Sequence, residues 1–130
     1  TVLGRLLLSD MDAAALADLY PDEPLPTYTA RTPSTRVQLK ALIDEDRVRG
    51  HAVSQGGFET GISTVAAPVF NEGHQVVAAI SLTVPAQQVD PARLEGLVAE
   101  VKSAAAQLTE RISHLPPRAG WPVQAPQRTA

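Results

Sequence analysis

The amino-terminal half of the chain has the spacing of apolar residues that is typical of short helices. The apolar segment from Val2 to Leu8 predicts a first helix, and the Ala-rich segment from Asp12 to Leu19 predicts a second. After a Pro-rich break, the segment PSTRVQLKALIDEDRVRG predicts a third helix. Ser34 or Thr35 can serve as its N-cap, and Gly50 lies just past its end.

The pattern then changes to one that is typical of strands. HAV predicts a short strand, and the polar, Gly-rich SQGGFETG predicts a loop. The runs from Ile62 to Phe70 and from Gln75 to Val84 flank the turn segment NEGH, which indicates a hairpin. Pro68 cannot donate a ladder hydrogen bond, so we expect a bulge or an unpaired side near it.

A long helix closes the folded part, with Asp90 as N-cap and Pro91 in its first position. Its predicted apolar stripe consists of Leu94, Leu97, Val98, Val101, Ala105, Leu108 and Ile112. Helices, then strands, then a helix predict an α+β fold with an antiparallel sheet. About three strands are few for an independent sheet, so we expect missing upstream elements or a second chain at its edge.

Length and charge restrict the class of protein. The 130 residues suit one domain, 44% of them are hydrophobic, and the net charge is −3. Lysines and arginines form no basic stripe, which argues against a stand-alone nucleic-acid binder. The chain has no cysteine and hence no thiolate chemistry. The lack of cysteine fits a reducing cytoplasm, where we expect this protein. No apolar run reaches the roughly 18–20 residues of a membrane span.

The two ends of the chain carry further expectations. Because the chain starts at Thr1 rather than at Met, we expect a fragment or a processed protein. We expect a domain over residues 1–115 and a Pro-rich, disordered tail over residues 116–130. Trp121 in that tail either docks on a neighbour or is disordered with it.

Two hydroxyls in the second strand of the hairpin raise a question about function. Ser81 and Thr83 are two residues apart and therefore share a face. A tight turn at NEGH sets Thr64 opposite Ser81, which predicts a cluster of three hydroxyls. A bulge at Pro68 shifts the register by one and breaks the cluster. The pattern alone favours a solvated face, and the alternative is a site that binds a small polar ligand.

Several longer segments resemble one known family. TVLGRLLL stands where the family has a Thr-x-x-Gly-Lys segment, and RVRGHAV stands where it has an Arg-Gly-Tyr segment. Together with GISTVAAPVFNEGHQVVAAISLTVPAQQVDPARLEGL and the closing helix, they resemble the effector-binding domain of isocitrate-lyase-regulator (IclR) transcription factors. The resemblance covers about Thr1 to Ile112. It implies a GAF-like sheet flanked by helices, with its first elements and a DNA-binding winged helix-turn-helix domain absent from this chain.

The resemblance also implies a small-molecule pocket between the sheet and the helices. Its implied binding groups are the backbone amides of Val2 and Leu3 and the side chains of Ser54, Thr64, Ser81 and Thr83. Some family members carry Asp in place of Ser54 and Cys in place of Thr64, so no member's ligand is transferred. Arg5 replaces a usual Lys, and His51 replaces a more usual Tyr.

Other candidate residues point to no second site. His51, His74 and His114 lack metal-ligand spacing, so we expect no metal and no cofactor. The acidic residues 44–46 diverge around a helix, and we expect a solvated face there. Phe58 either closes over a ligand or packs on the core. Ser81 lies mid-strand without a Gly-x-Ser-x-Gly turn, which argues against an enzyme.

These observations lead to one favoured hypothesis and two alternatives. The favoured function is that of an effector-binding domain of a bacterial transcriptional regulator that binds a small carboxylate as a homodimer or tetramer. DNA is then contacted only through a separate domain, and no membrane is involved. The alternatives are a structural dimerisation module with a vestigial pocket and a GAF-like hydrolase. Burial of the hydroxyls and ligand-sized space above them are required for a sensor, and a hydrolase requires a base within hydrogen-bond reach of Ser81.

Overall fold

The computed structural model describes residues 1–112 and residue 114, so the predicted tail and Trp121 lie outside the described residues. The helices are α1 (Val2–Leu7), α2 (Ala13–Leu19), α3 (Arg36–Arg49) and α4 (Pro91–Ile112). The strands are β1 (Ala52–Gln55), β2 (Ile62–Phe70) and β3 (Val76–Pro85), and a short 3-10 turn (Ala86–Gln88) leads into α4. The predicted α+β class is confirmed.

Local signals set the helix boundaries as predicted. Asp12 caps α2 by accepting a hydrogen bond from Ala15 N–H at 2.8 Å. Thr35 caps α3, and Gly50 ends that helix in the left-handed conformation, with φ of +72°. Asp90 accepts from an amide in the first turn of α4 at 2.7 Å.

The three strands form one antiparallel sheet in the order β1-β2-β3, with a helical layer on each side. The odd-numbered side chains of β2 pack on α4, and the core there consists of Val65, Ala67, Val69, Leu97, Val101 and Ala105. The opposite face packs on α1 through Val2, Leu6, Ala52 and Ala66. A third cluster joins α2 to α3 through Leu16, Leu25, Leu39 and Ile43. The central strand β2 is therefore buried along most of its length, as its apolar sequence requires, whereas the edge strand β3 is only partly covered.

Two predicted details differ from the structure. Leu108 is 37% exposed, because the buried row on α4 follows the four-residue spacing from Leu97 to Ala105 and turns towards Thr109. The irregularity expected near Pro68 lies between Val69 and Phe70 instead, while Pro68 is buried inside the ladder.

Candidate ligand-binding site

Three hydroxyl side chains lie in one row across the sheet, one on each strand. Ser54 is opposite Thr64, and Thr64 is opposite Thr83. Ser81 lies two residues before Thr83 on the same face, opposite Ala66. All four hydroxyls therefore face the side of the sheet that α1 covers, rather than the side that packs on α4.

The predicted register of the hairpin is wrong, because Thr64 lies opposite Thr83 rather than Ser81. Two one-residue shifts add up to this difference. The turn holds one more residue than expected, so that Phe70 pairs with Val76, and a β-bulge beside Phe70 adds the second shift. Each shift alone turns the side chains to the other face, and two together restore the original face. The hydroxyl cluster therefore forms with different neighbours.

Hydrogen bonds order the hydroxyl row. Thr64 Oγ1 and Thr83 Oγ1 lie 3.0 Å apart, and either can donate to the other. Ser54 Oγ accepts from Gly57 N–H at 3.1 Å, which ties β1 to the loop that follows it. A hydroxyl has one donor and two acceptor lone pairs, so each group retains capacity for a further partner. The row can therefore bind a polar ligand without losing these bonds.

A cavity of about 710 Å³ lies above the hydroxyl row, between the sheet and the loops that precede α3. Its lining includes all six residues that the family resemblance implied: Val2, Leu3, Ser54, Thr64, Ser81 and Thr83. Apolar side chains from α3 and the preceding segment form another part of the wall: Tyr20, Leu25, Pro26, Leu39 and Leu42. The structure therefore combines ligand-sized space with a polar patch on one wall.

Helix α1 lies at one side of the cavity, but its amino terminus is a weak anion site. The helix has only six residues, and Thr1 Oγ1 already accepts from Gly4 N–H at 3.1 Å. Amides in a first helical turn lack partners within their own helix, which leaves those of Val2 and Leu3 to solvent or a ligand. The side chain of Val2 packs in the core beside Leu6. Any ligand contact from this segment therefore comes from the backbone amides or from Leu3.

A buried ion pair holds α1 against α3 beside the cavity. Arg5 Nε donates to Asp46 Oδ2 at 2.7 Å, and Arg5 Nη2 donates to the carbonyl of Val53 at 3.0 Å. Asp46 is 1% exposed, so the expectation that all of residues 44–46 are solvated is wrong at this position. Burial raises the pKa of Asp46, and the attraction of Arg5 opposes that rise without cancelling it.

Three cavity residues lie on two loops whose contact with each other was not predicted from the sequence. Tyr28 and Arg31 lie in the segment before α3, and Phe58 lies in the loop after β1. The rings of Tyr28 and Phe58 are 4.8 Å apart, centroid to centroid. Phe58 is 49% exposed and belongs to none of the core clusters, so it does not pack on the core. Arg31 carried no sequence signal, because its place at the cavity depends on how the two loops meet.

The histidines do not gather at the cavity or at a candidate metal site within the described residues. His51 Nδ1 lies 3.2 Å from Arg49 O, and His51 is not among the residues that line the cavity. Within the described residues, no group of three or more His, Asp or Glu side chains could hold a metal ion. None of the described helices is long and apolar enough to cross a membrane.

Comparison with known proteins places this fold in context. The family described as "Bacterial transcriptional regulator IclR C-terminal" matches residues 1–110. The HTH-type transcriptional regulator XynR of Escherichia coli (strain K12) is 28% identical over 114 residues, which are 88% of this chain and 45% of XynR. The chain therefore spans about half the length of such relatives. They are transcriptional regulators, in agreement with the prediction that this chain is not an enzyme.

Solved structures share the fold at lower identity. The repressor BlcR of Agobacterium tumefaciens superposes with a TM-score of 0.79 at 23% identity, over 88% of this chain and 46% of BlcR. A double mutant of the inducer-binding domain of the Acinetobacter transcription factor PobR, in complex with 3-hydroxybenzoic acid, gives a TM-score of 0.73 at 22% identity. That match covers 89% of this chain and 65% of the PobR chain. These similarities support the fold.

Proposed function

The chain belongs to the IclR family of bacterial transcriptional regulators, and from this premise we propose that it is an effector-binding domain that senses a small organic acid. The observation that carries the proposal is the hydroxyl row of Ser54, Thr64 and Thr83, which faces a cavity of about 710 Å³. That volume lies within the range of about 300–1,000 Å³ that is typical of small-molecule sites.

The charges around the cavity support an anionic effector. Among the described residues that line it, Arg5 and Arg31 are cationic and none is Asp or Glu. The guanidinium of Arg5 is already paired with the carboxylate of Asp46. Arg31 has no carboxylate partner among the described ion pairs. A carboxylate can accept hydrogen bonds from the hydroxyls and gain from the positive potential of Arg31. The complex of a PobR double mutant with 3-hydroxybenzoic acid is consistent with this ligand class.

The regulatory part of the proposal extends beyond the described residues. Effector binding shifts the equilibrium between arrangements of the subunits in a homodimer or tetramer, and this changes DNA binding by a separate helix-turn-helix domain. A coupling of this kind requires that the effector bind the two arrangements with different affinity. We also propose a cytoplasmic location, because the regulator must reach the DNA.

A thermal-shift screen tests the proposal. The full-length protein is screened against pyruvate, succinate, benzoate and 3-hydroxybenzoate, with a Ser81→Ala/Thr83→Ala variant in parallel. A ligand that binds only the folded state raises the melting temperature by mass action. We expect a rise in the parent that is lost in the variant.

The control is Ser103→Ala, which removes an exposed hydroxyl from α4, outside the cavity lining. This variant should respond to the acids as the parent does. A rise that persists in Ser81→Ala/Thr83→Ala would place the ligand elsewhere on the protein. No rise with any of the acids would favour the alternative of a dimerisation module with a vestigial pocket.

A further inference from the structure

Two aromatic side chains stand at the cavity with much of their surface uncovered. Tyr28 is 66% exposed and Phe58 is 49% exposed, although the whole chain has only two Tyr and two Phe. Their rings are in contact at 4.8 Å and are inclined by 52°, and both line the cavity that holds the hydroxyl row. Exposed aromatic surface beside a polar patch is suited to a ligand with one apolar and one charged end.

The two loops that carry these rings are bonded to each other. Thr29 Oγ1 donates to the carbonyl of Gly56 at 2.7 Å, and Thr32 Oγ1 donates to the carbonyl of Gly57 at 2.6 Å. Arg31 Nη1 adds a third bond, to the carbonyl of Gln55 at 2.8 Å. A displacement of either loop therefore breaks bonds to the other. We call residues 26–33 and 56–61 together the lid.

Ser54 connects the lid to the hydroxyl row. Its Oγ accepts from Gly57 N–H at 3.1 Å, Gly57 O accepts from Thr32, and Thr32 Oγ1 accepts from Tyr28 N–H at 3.1 Å. The approach of Gly57 to Ser54 needs glycine, because a Cβ at position 57 would lie 2.5 Å from Ser54 Oγ. This unbroken chain of hydrogen bonds runs from the sheet to the backbone amide of Tyr28, the residue that carries the first aromatic ring.

We propose that Tyr28 and Phe58 determine effector specificity by contacting an aryl group on the acid, and that Ser54 and Gly57 hold the two loops as one lid in the position that this contact requires. Ser54 is then a positioning residue, because its Oγ accepts the hydrogen bond from Gly57 N–H that holds the loop. This inference rests on the proposed function for its ligand. The union of the two loops does not depend on a ligand, so it can be tested separately.

Binding of two acids tests the specificity part. The full-length parent and a Tyr28→Leu/Phe58→Leu variant are titrated calorimetrically with benzoate and with propionate. Leucine keeps apolar surface and removes the rings, so affinity for benzoate should fall about tenfold while affinity for propionate changes less than about twofold. An equal loss for both acids, or no loss for either, would overturn the assignment of the rings. A parent that binds neither acid would overturn both this part and the proposed function for these acids.

Hydrogen exchange without ligand tests the lid. Gly57→Ala should raise exchange several-fold in both loops, at residues 26–33 as well as at residues 56–61. Ser54→Ala/Gly57→Ala removes the clash, since the next side-chain atom is Ser54 Cβ at 3.8 Å, and it should match Ser54→Ala alone. The control is Gly96→Ala, where an added Cβ meets nothing within 4 Å.

The distribution of faster exchange between the two loops shows whether they move together. Faster exchange confined to residues 56–61 in Gly57→Ala would show that the loops move separately and would overturn the lid. Exchange in Ser54→Ala as slow as in the parent would show that Ser54 is not the group that holds Gly57. Both results are independent of any acid, so they can be told apart from a failure of the proposed function.

Discussion

Thr64 and Thr83 face each other across β2 and β3, and their hydroxyl oxygens lie 3.0 Å apart on the face that looks into the cavity. Neither hydroxyl belongs to a core cluster, because the α4 core lies on the other face and this face packs on α1 through Ala52 and Ala66. The bond orients both groups in the absence of any ligand. An oriented pair loses less rotamer freedom on binding than two independent side chains do.

A double-mutant cycle tests this pairing. Thr64→Val and Thr83→Val each keep the side-chain shape and remove the shared bond, so each should weaken binding of an acid from the panel about tenfold. Because the two hydroxyls act as a unit, the double variant should be only slightly weaker than the worse single variant. Additive losses in the calorimetric titration would mean that the two threonines contact the ligand independently.

Removal of Arg5 should destabilise the fold through Asp46. Arg5→Met leaves a carboxylate that is almost inaccessible to solvent without its partner, and we expect the free energy of unfolding at pH 7 to fall by about 3 kcal/mol. Urea denaturation monitored by circular dichroism measures this free energy of unfolding. The cost should shrink towards pH 4, because protonation then removes the uncompensated charge.

The matched control for this substitution is Arg49→Met on α3. Arg49 pairs with Glu45 at 3.0 Å, but both side chains are more than half exposed, so the loss should stay below about 1 kcal/mol. Equal losses of unfolding free energy in Arg5→Met and Arg49→Met would mean that burial does not make the Arg5–Asp46 pair more important for stability than an exposed pair.

The titration of Asp46 has a predicted direction. Its pKa is raised above the ordinary value of 3.8, because burial outweighs the attraction of Arg5. The folded state then holds the proton more tightly than the unfolded state does. The stability that this group contributes is full below pH 3.8 and is lost as the pH rises through the folded pKa. Carboxyl carbon NMR, with Asp46→Asn for assignment, should show a midpoint above 3.8, and a lower midpoint would mean that Arg5 dominates.

The bulge at the end of β2 depends on a side chain of α4. Phe70 N–H donates to Thr109 Oγ1 at 3.1 Å, at the point where the β2–β3 register shifts. Thr109→Val keeps the shape and leaves that amide without its acceptor, so the free energy of unfolding should fall by about 1–2 kcal/mol. Ser103→Ala on the exposed side of α4 is the control and should change it by less than about 0.5 kcal/mol.

Much of the secondary structure could be predicted because its signals are local. Asp12, Thr35 and Asp90 cap helices from positions next to them in sequence, and Gly50 ends α3 by its own backbone conformation. Alternation placed β2 and β3 within one residue of their observed ends. The shared face of Ser81 and Thr83 also follows from spacing alone, because side chains alternate along any strand.

Pairings between distant segments could not be predicted in this way. The turn and the bulge decided that Thr64 meets Thr83, and the burial of Asp46 required α1 to bring Arg5 beside α3. Tyr28 and Phe58 are thirty residues apart, and no periodicity links them.

By itself the sequence determined the elements, the α+β class and the face that carries the hydroxyls, since each depends on neighbours along the chain. Only the tertiary structure decided the register, the buried ion pair and the hydrogen bonds between the two loops at the cavity. These depend on which segments lie together in space, and their energies come from contacts that no short stretch of sequence contains.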